Sequence, residues 1–267
     1  MPASDGLYER AAERFALRPF WHLDEARTFF VGPLERNSLH QHGAPVYLAG
    51  IYGEFRLRIQ GGRWQSCRTA VIPAGVIHEL DIGGYPLAVF YIEANVGSAD
   101  QLVPLSGDSW EADGVLLGRT GEFSIMRELW EDGAGVGWAG QALEDLLDFS
   151  ARRASRSKDR RIAAAVDYLR TRSDELTSVM PLARSVGLSA SQFQRVFTRE
   201  VGVPFRRYRS WNRMRAAISE IVNGSNFTTA AHAAGFSDQA HFNNDFRRTF
   251  GAAPSVSLVD LRKLPPP

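Results

Sequence analysis

Two histidines stand two residues apart in His40-Gln41-His42, and a third closes the run from Pro73 through Gly75 to His78. Side chains two apart on a strand project from the same face, so His40 and His42 can point together. Three neutral imidazoles offer nitrogen ligands to Zn²⁺ or another divalent transition metal, with water completing the coordination. They can equally be polar contacts in a pocket for an organic effector, walled by Tyr47, Trp64 and Tyr91, or simply be packed and hydrogen-bonded. Cys67 is the only cysteine, which excludes an intrachain disulfide or a multi-cysteine zinc site and suits a reducing compartment. It reads as a small buried hydrophobe rather than a sensor thiol. No Ser/His/Asp order, phosphate-cradling glycine loop or Cys-x-x-Cys pair offers another chemistry.

A second constellation is written twice. The pattern from Leu182 to Phe197 returns from Ala230 to Phe246, 48 to 49 residues later, with one residue gained inside the second copy. Gly187 pairs with Gly235, Leu188 with Phe236, Ser189 with Ser237, Phe193 with Phe242, Phe197 with Phe246 and Gly202 with Gly251. Each copy reads as a short helix of small residues, a glycine turn, and a second helix with Ser189 or Ser237 as its N-cap. Phe193, Val196 and Phe197 in one copy, and Phe242, Phe246 and Phe250 in the other, give that second helix a core face and leave the other face free for a groove. Two such units in tandem imply a chain that reads DNA.

Charge agrees with that reading. Residues 1–151 carry 11 Arg and no Lys against 21 Asp plus Glu, a net of −10, whereas residues 152–267 carry 20 Lys plus Arg against 9 Asp plus Glu, a net of +11. The overall charge of +1 therefore hides an acidic half joined to a basic one, and the basic half has the footprint of phosphate binding.

The elements that position these residues follow from pattern. Short β-type runs at Val46–Tyr52, Glu54–Ile59, Ala70–Ile72 and Leu87–Ile92 lie in a stretch from about Ala26 to Ala94 punctuated by Gly and Pro. They argue for an all-β sandwich or small barrel. From about Glu122 the period turns helical, through Ile125, Met126, Leu129 and Trp130 and then Leu143, Leu146 and Leu147. These trailing helices are expected to cover an open face of the β domain or to pair with a second subunit. The basic, polar run from Ser150 to Lys158 marks a linker. Domains are accordingly set at residues 1–150, a linker at 151–160, and a helical domain at 161–267. Ile162, Ala165, Val166 and Leu169 open the helical domain as an apolar stripe. Between the repeats a helix runs from about Pro204 to Val222, with Phe205, Tyr208, Trp211, Met214, Ile218 and Ile221 on its buried side. Roughly 18 residues at 1.5 Å each make a rod of about 27 Å, comparable to one DNA turn. With no run of about 18 apolar residues and no signal-peptide pattern before Arg18, the expectation is a cytoplasmic chain without membrane partners.

The segment from Val179 to Ser255 resembles the DNA-binding domain of AraC/XylS-type transcriptional regulators. The resemblance covers roughly the last 100 residues, and the paired spacing is far more specific than a lone helix-turn-helix. It implies that the second helix of each unit enters a major groove, with Ser191, Gln192, Gln194 and Arg195, and then Gln239, Ala240, Asn243 and Asn244, facing base edges. Asn244 stands where the family often has arginine. Arg195 can donate twice to guanine, and Gln194, Asn243 and Asn244 suit adenine. Arg199, Arg206, Arg207, Arg247 and Arg248 are the phosphate candidates. His232 and His241 read as structural.

The histidine spacing resembles a cupin, the small double-sheet barrel that precedes such DNA-binding domains in many of these regulators. In metal-binding cupins the matching histidines, with a glutamate soon after the second, hold a divalent ion. Here Pro45, Val46 and Tyr47 occupy the positions where that carboxylate would fall. The expected fold is thus an N-terminal all-β cupin or jelly-roll barrel with trailing helices, followed by an all-α domain with two helix-turn-helix units. The expected function is a sequence-specific, non-enzymatic regulator of double-stranded DNA, responsive to a small-molecule effector in the barrel. It would act as a homodimer through the β domain and its trailing helices, with RNA polymerase as a partner if it activates. No cofactor is required by this reading; the alternative is a metal-dependent cupin enzyme or a metal sensor using His40, His42 and His78.

Overall fold

In the computed structural model, residues 17–151, 159–171 and 178–262 are described, so residues 152–158 of the expected linker lie outside them. Eleven strands precede nine α-helices among the described residues, and two short 3-10 turns (Ala99–Gln101 and Val103–Leu105) separate the ninth strand from the tenth. The strands are β1 (Phe20–Leu23), β2 (Arg27–Pro33), β3 (Arg36–His40), β4 (Val46–Gly50), β5 (Phe55–Ile59), β6 (Gln65–Cys67), β7 (Thr69–Ile72), β8 (His78–Asp81), β9 (Pro86–Ile92), β10 (Ser106–Ala112) and β11 (Val115–Gly121). They form a seven-stranded sheet in the order β1-β2-β9-β4-β7-β11-β10 and a four-stranded sheet in the order β3-β8-β5-β6. All the pairings are antiparallel.

The central strands of the larger sheet are buried on both faces, and alternation sorts their side chains. Val46, Leu48, Leu87, Val89 and Tyr91 face the smaller sheet and share a core with Phe30, Leu57 and Leu80. Tyr47, Ala49, Ala88, Phe90 and Ile92 face the other way. There they meet Met126, Leu129 and Trp130 of α1 (Ser124–Glu131) and Ala139 and Leu143 of α2 (Gly135–Ala151). The trailing helices therefore cover the outer face of the β domain, the first of the two expected arrangements. β10 and β11 extend the sheet beyond the expected β region. They are joined by Asp113 and Gly114, both at positive φ (52° and 77°), the backbone of a two-residue hairpin turn.

The helical domain comprises α3 (Arg160–Thr171), α4 (Val179–Ser185), α5 (Ala190–Val201), α6 (Phe205–Val222), α7 (Phe227–Ala233), α8 (Gln239–Phe250) and α9 (Pro254–Ser257). The pairs α4–α5 and α7–α8 are the repeated units, turned by Gly187 (φ 71°) and Gly235 (φ 76°). Ser189 caps α5 in a reciprocal box with Gln192. In the second unit the cap is Asp238 rather than Ser237: its carboxylate accepts from His241 N at 2.7 Å. The residue gained in that copy moves the helix start one position along, and Ser237 instead hydrogen-bonds Asp238. The expected rod is α6, 18 residues long with Pro204 at its N-cap, and all six residues of its expected apolar stripe are buried.

The two domains share one continuous core. Tyr91 of the barrel packs on Trp211 of α6 with ring centroids 4.9 Å apart, and Trp21 meets Phe250 of α8 at 5.9 Å. A carboxylate lies in this seam. Glu93 is fully buried, accepts from Tyr208 Oη and Trp211 Nε1 at 2.9 Å each, and pairs with Arg215 Nε at 3.3 Å. Arg215 donates further to Thr28 Oγ1 at 2.7 Å and to the Arg27 carbonyl at 3.1 Å.

Candidate nucleic-acid interface and barrel pocket

Both reading helices are seated on the barrel by their C-terminal ends. Gly202 and Gly251 end α5 and α8 in the left-handed conformation (φ 88° and 74°). A Cβ on Gly202 would lie 3.3 Å from Ala74 O, and one on Gly251 would lie 2.3 Å from Ser38 O. The last carbonyls of α8, which no intrahelical N–H reaches, accept from β3: Asn37 Nδ2 donates to Phe250 O at 2.7 Å, and Ser38 N and Oγ donate to Gly251 O at 2.9 and 2.8 Å. The N-terminal halves are left outward, the ends from which recognition helices contact bases.

On α5, Ser191, Gln192, Gln194 and Arg195 are all exposed, on the face opposite Phe193 and Phe197. Gln192 is also the capping partner, its Oε1 accepting from Ser189 N at 3.1 Å. On α8, Ala240 and Asn244 are exposed while Gln239 and Asn243 are half-buried, and Gln239 Oε1 accepts from Thr228 Oγ1 at 2.9 Å. Arg206, Arg247 and Arg248 are exposed. Arg199 is exposed but paired with Glu200 at 2.9 Å. Arg207 turns toward the barrel instead, donating to Gln41 Oε1 at 3.1 Å once that amide is oriented to satisfy its own bonds.

Between α6 and α8 lies a groove of about 460 Å³ lined by Arg206, Arg207, Arg213 and Arg248 around Asp245. Asp245 accepts from Ser210 Oγ at 3.2 Å and has Arg248 Nη1 at 3.5 Å. Arg213, half-buried and 3.9 Å from Asp245, is not among the phosphate candidates. The signal for Arg213 was present, since positions 206 and 213 fall two helical turns apart on one face of α6.

The barrel pocket is built by an irregular strand. β3 pairs with β8 as Asn37↔Leu80 and then His40↔His78, with a register shift between them. This irregularity lets two residues three apart both point inward, the usual effect of a bulge on side-chain aim. His40, His42 and His78 are buried with relative exposures of 3%, 3% and 0%, and one ring nitrogen from each lies within 4.8 Å of the other two. His40 Nδ1 is 2.7 Å from Ser38 O and His78 Nδ1 is 2.9 Å from Val76 O, which fixes those nitrogens as the protonated ones. His42 Nε2 meets Tyr91 Oη at 3.2 Å. Burial, reinforced by the neighbouring imidazoles, holds His40 and His42 well below the ordinary range, and burial brings His78 down to about 4. All three are therefore neutral at pH 7.

Next to these rings is a cavity of about 30 Å³ lined by Trp21, Phe30, Leu80 and Val89 from the barrel and by Phe246 and Phe250 from α8. Tyr91 belongs to the same cluster. Tyr47 and Trp64 do not. Val46 is the residue paired with Tyr91, so Tyr47 points to the opposite face, where its hydroxyl lies 2.9 Å from Leu105 O and 3.0 Å from Glu122 O. Trp64 lies with the guanidinium carbons of Arg36, Arg56 and Arg58 4.9–5.6 Å from its ring. Cys67 is buried, and burial pushes its thiol up to about 12, in keeping with an inert core residue.

The fold and these surfaces define a two-domain chain: a double-sheet β barrel on which a double helix-turn-helix domain is seated. Residues 182–258 match the family described as "Helix-turn-helix domain". The probable thc operon regulatory protein of Rhodococcus erythropolis is 30% identical over 108 residues, which make up 39% of this chain and 32% of that protein. The chain thus spans about a third of the length of the curated relative it matches. Among solved structures, an apo ToxT variant from Vibrio cholerae superposes with a TM-score of 0.60 at 12% identity, over 89% of this chain and 98% of that one. Wild-type ToxT with an unsaturated fatty acid bound gives 0.59 at 14% identity, over 90% and 97%. At these identities the likeness establishes the two-domain fold. No described helix is long and apolar enough to cross a membrane.

Proposed function

We propose that this chain is a sequence-specific transcriptional regulator whose barrel senses a small ligand and whose occupancy biases how the two reading heads are held. The observation that carries the reading is the pocket shared by the domains: Phe246 and Phe250, from the second reading helix, form part of the wall beside His40 and His42. A ligand there touches sensor and reader at once, and it shifts their arrangement by its difference in affinity for the docked and undocked states. Ser191, Gln194 and Arg195 on α5, with Ala240, Asn243 and Asn244 on α8, are the base-facing set. Arg206, Arg247 and Arg248 are the phosphate contacts. Gln192 and Gln239 keep an amide group to offer, while Arg199 and Arg207 contribute after exchanging their protein partners.

The test is selection of genomic fragments by the purified chain at two salt concentrations, since log K falls with log salt as phosphates are neutralised. The expected outcome is enrichment of a site with two half-motifs about one turn, roughly 34 Å, apart. On that site Arg195→Ala is expected to cost about 1–3 kcal/mol and relax preference at one base, whereas Arg248→Ala weakens all sequences alike and lowers the salt slope by about 1. Parent-like binding by both variants would show that these helices do not face DNA.

A further inference from the structure

Three imidazole nitrogens, His40 Nε2, His42 Nδ1 and His78 Nε2, are buried without a hydrogen-bond partner among the described residues. The first and last are lone pairs, because the opposite ring nitrogens donate to Ser38 O and Val76 O; the third becomes one when His42 Nε2–H donates to Tyr91 Oη. A water molecule brings two protons to three acceptors, so it leaves one unmet, while a cation meets all three. Metal-binding histidines characteristically donate their second ring nitrogen to a backbone carbonyl, which fixes tautomer and ring orientation. The adjoining cavity of about 30 Å³ has room for an ion and a water, each needing about 10–15 Å³. It is roughly tenfold smaller than the 300 Å³ at which sites for organic ligands begin.

We propose that His40, His42 and His78 hold a divalent transition-metal ion of the Zn²⁺ class, with water as the remaining ligand, and that this ion fastens β3 and β8 beneath the end of α8. The regulatory half of this statement rests on the function proposed above; the site itself does not. The inward nitrogens lie within 4.8 Å of one another, and bonds of 2.0–2.1 Å in tetrahedral geometry place such nitrogens about 3.4 Å apart. The rings therefore close on the ion by less than about 1 Å each. Among the described residues no carboxylate joins the trio, so the ligand set is neutral, nitrogen-only and suited to Zn²⁺, Co²⁺ or Ni²⁺ rather than to Mg²⁺ or Ca²⁺. Closure acts directly on the reader: His40 carries the Nδ1 that lies 2.7 Å from where a Cβ on Gly251 would sit, and the His42 ring is 6.1 Å from that of Phe250.

The experiment is titration of the full chain, stripped by chelator, with CoCl₂ and then ZnCl₂. One equivalent of Co²⁺ is expected, with the strong visible bands of a four-coordinate ion, displaced by Zn²⁺. His40→Gln and His78→Gln should bind Co²⁺ at least about 100-fold more weakly, the top of the range that even outer partners of a metal carry. His232→Gln, on the exposed surface of α7, should bind as the parent does. A parent chain that takes up no stoichiometric Co²⁺, or that shows only the weak bands of a hydrated ion, overturns the site, and this arm holds even if a histidine variant fails to fold. Uptake by His78→Gln as tight as the parent's overturns it as well. Fragment selection on stripped and loaded chain separates the two readings. Metal uptake without sequence enrichment breaks the regulator reading and leaves the site, whereas enrichment without uptake does the reverse. Equal operator affinity with and without Zn²⁺ overturns the fastening role.

Discussion

Glu93→Ala is expected to destabilise the chain by about 3–5 kcal/mol, the range for removing one partner of a buried ion pair. The carboxylate is fully buried and serves three groups of α6 spaced along one face, Tyr208, Trp211 and Arg215. Its loss removes the carboxylate acceptor of two donors and leaves a guanidinium, itself only 8% exposed, with neutral oxygens as its remaining partners. Urea unfolding followed by tryptophan fluorescence measures the effect. Because both sides of the pair lie in the seam, the loss should appear as earlier separation of the domains. Arg215→Met added to Glu93→Ala should cost much less than the sum of the two single changes, since contacting residues couple. A loss below about 1 kcal/mol, the usual worth of an exposed pair, would mean that water reaches Glu93.

Gly251→Ala is the second large effect. A left-handed alanine costs about 1–2 kcal/mol by itself, and Gly187→Ala should show that amount alone, because its added Cβ meets nothing within 4 Å. At Gly251 the same backbone cost is joined by a Cβ placed 2.3 Å from Ser38 O and 2.7 Å from His40 Nδ1. Ser38 cannot withdraw freely, because its N–H and hydroxyl hold the Gly251 carbonyl. Overpacking of this kind adds about 1–3 kcal/mol, for a total of roughly 2–5 kcal/mol. The comparison is made by thermal melting of both variants; equal shifts would show that α8 does not press on β3.

Much of this molecule is legible in the sequence where the governing interactions are local. Glycine turns, caps and phenylalanine spacing define the two reading units, and alternating bulk defines α6. Legibility fails where the deciding partner is remote or the pattern is degenerate. β4 and β9 are apolar at every second position on both faces, so nothing in the run around Tyr47 says that it faces the helices while Tyr91 faces the histidines. Trp64 reads as a pocket wall until the three arginines beside it are known. The β10–β11 hairpin was within reach, because Asp113-Gly114 is a strong turn signal between two β-capable runs. Glu93 was not, since its hydroxyl and indole partners are 115 and 118 residues away.

The seam between the domains also bears on ancestry and engineering, because a reader seated this way does not travel alone. Gly43 has no room for a side chain, a Cβ there falling 2.4 Å from that of Trp211. A chimaera that joins residues 160 onward to a foreign sensor must therefore supply a counterpart to Gly43, a carboxylate where Glu93 stands and donors for the end of α8. Without them, Trp211 and Phe250 become an exposed aromatic patch, and the transplanted half should aggregate rather than take orders from its new partner.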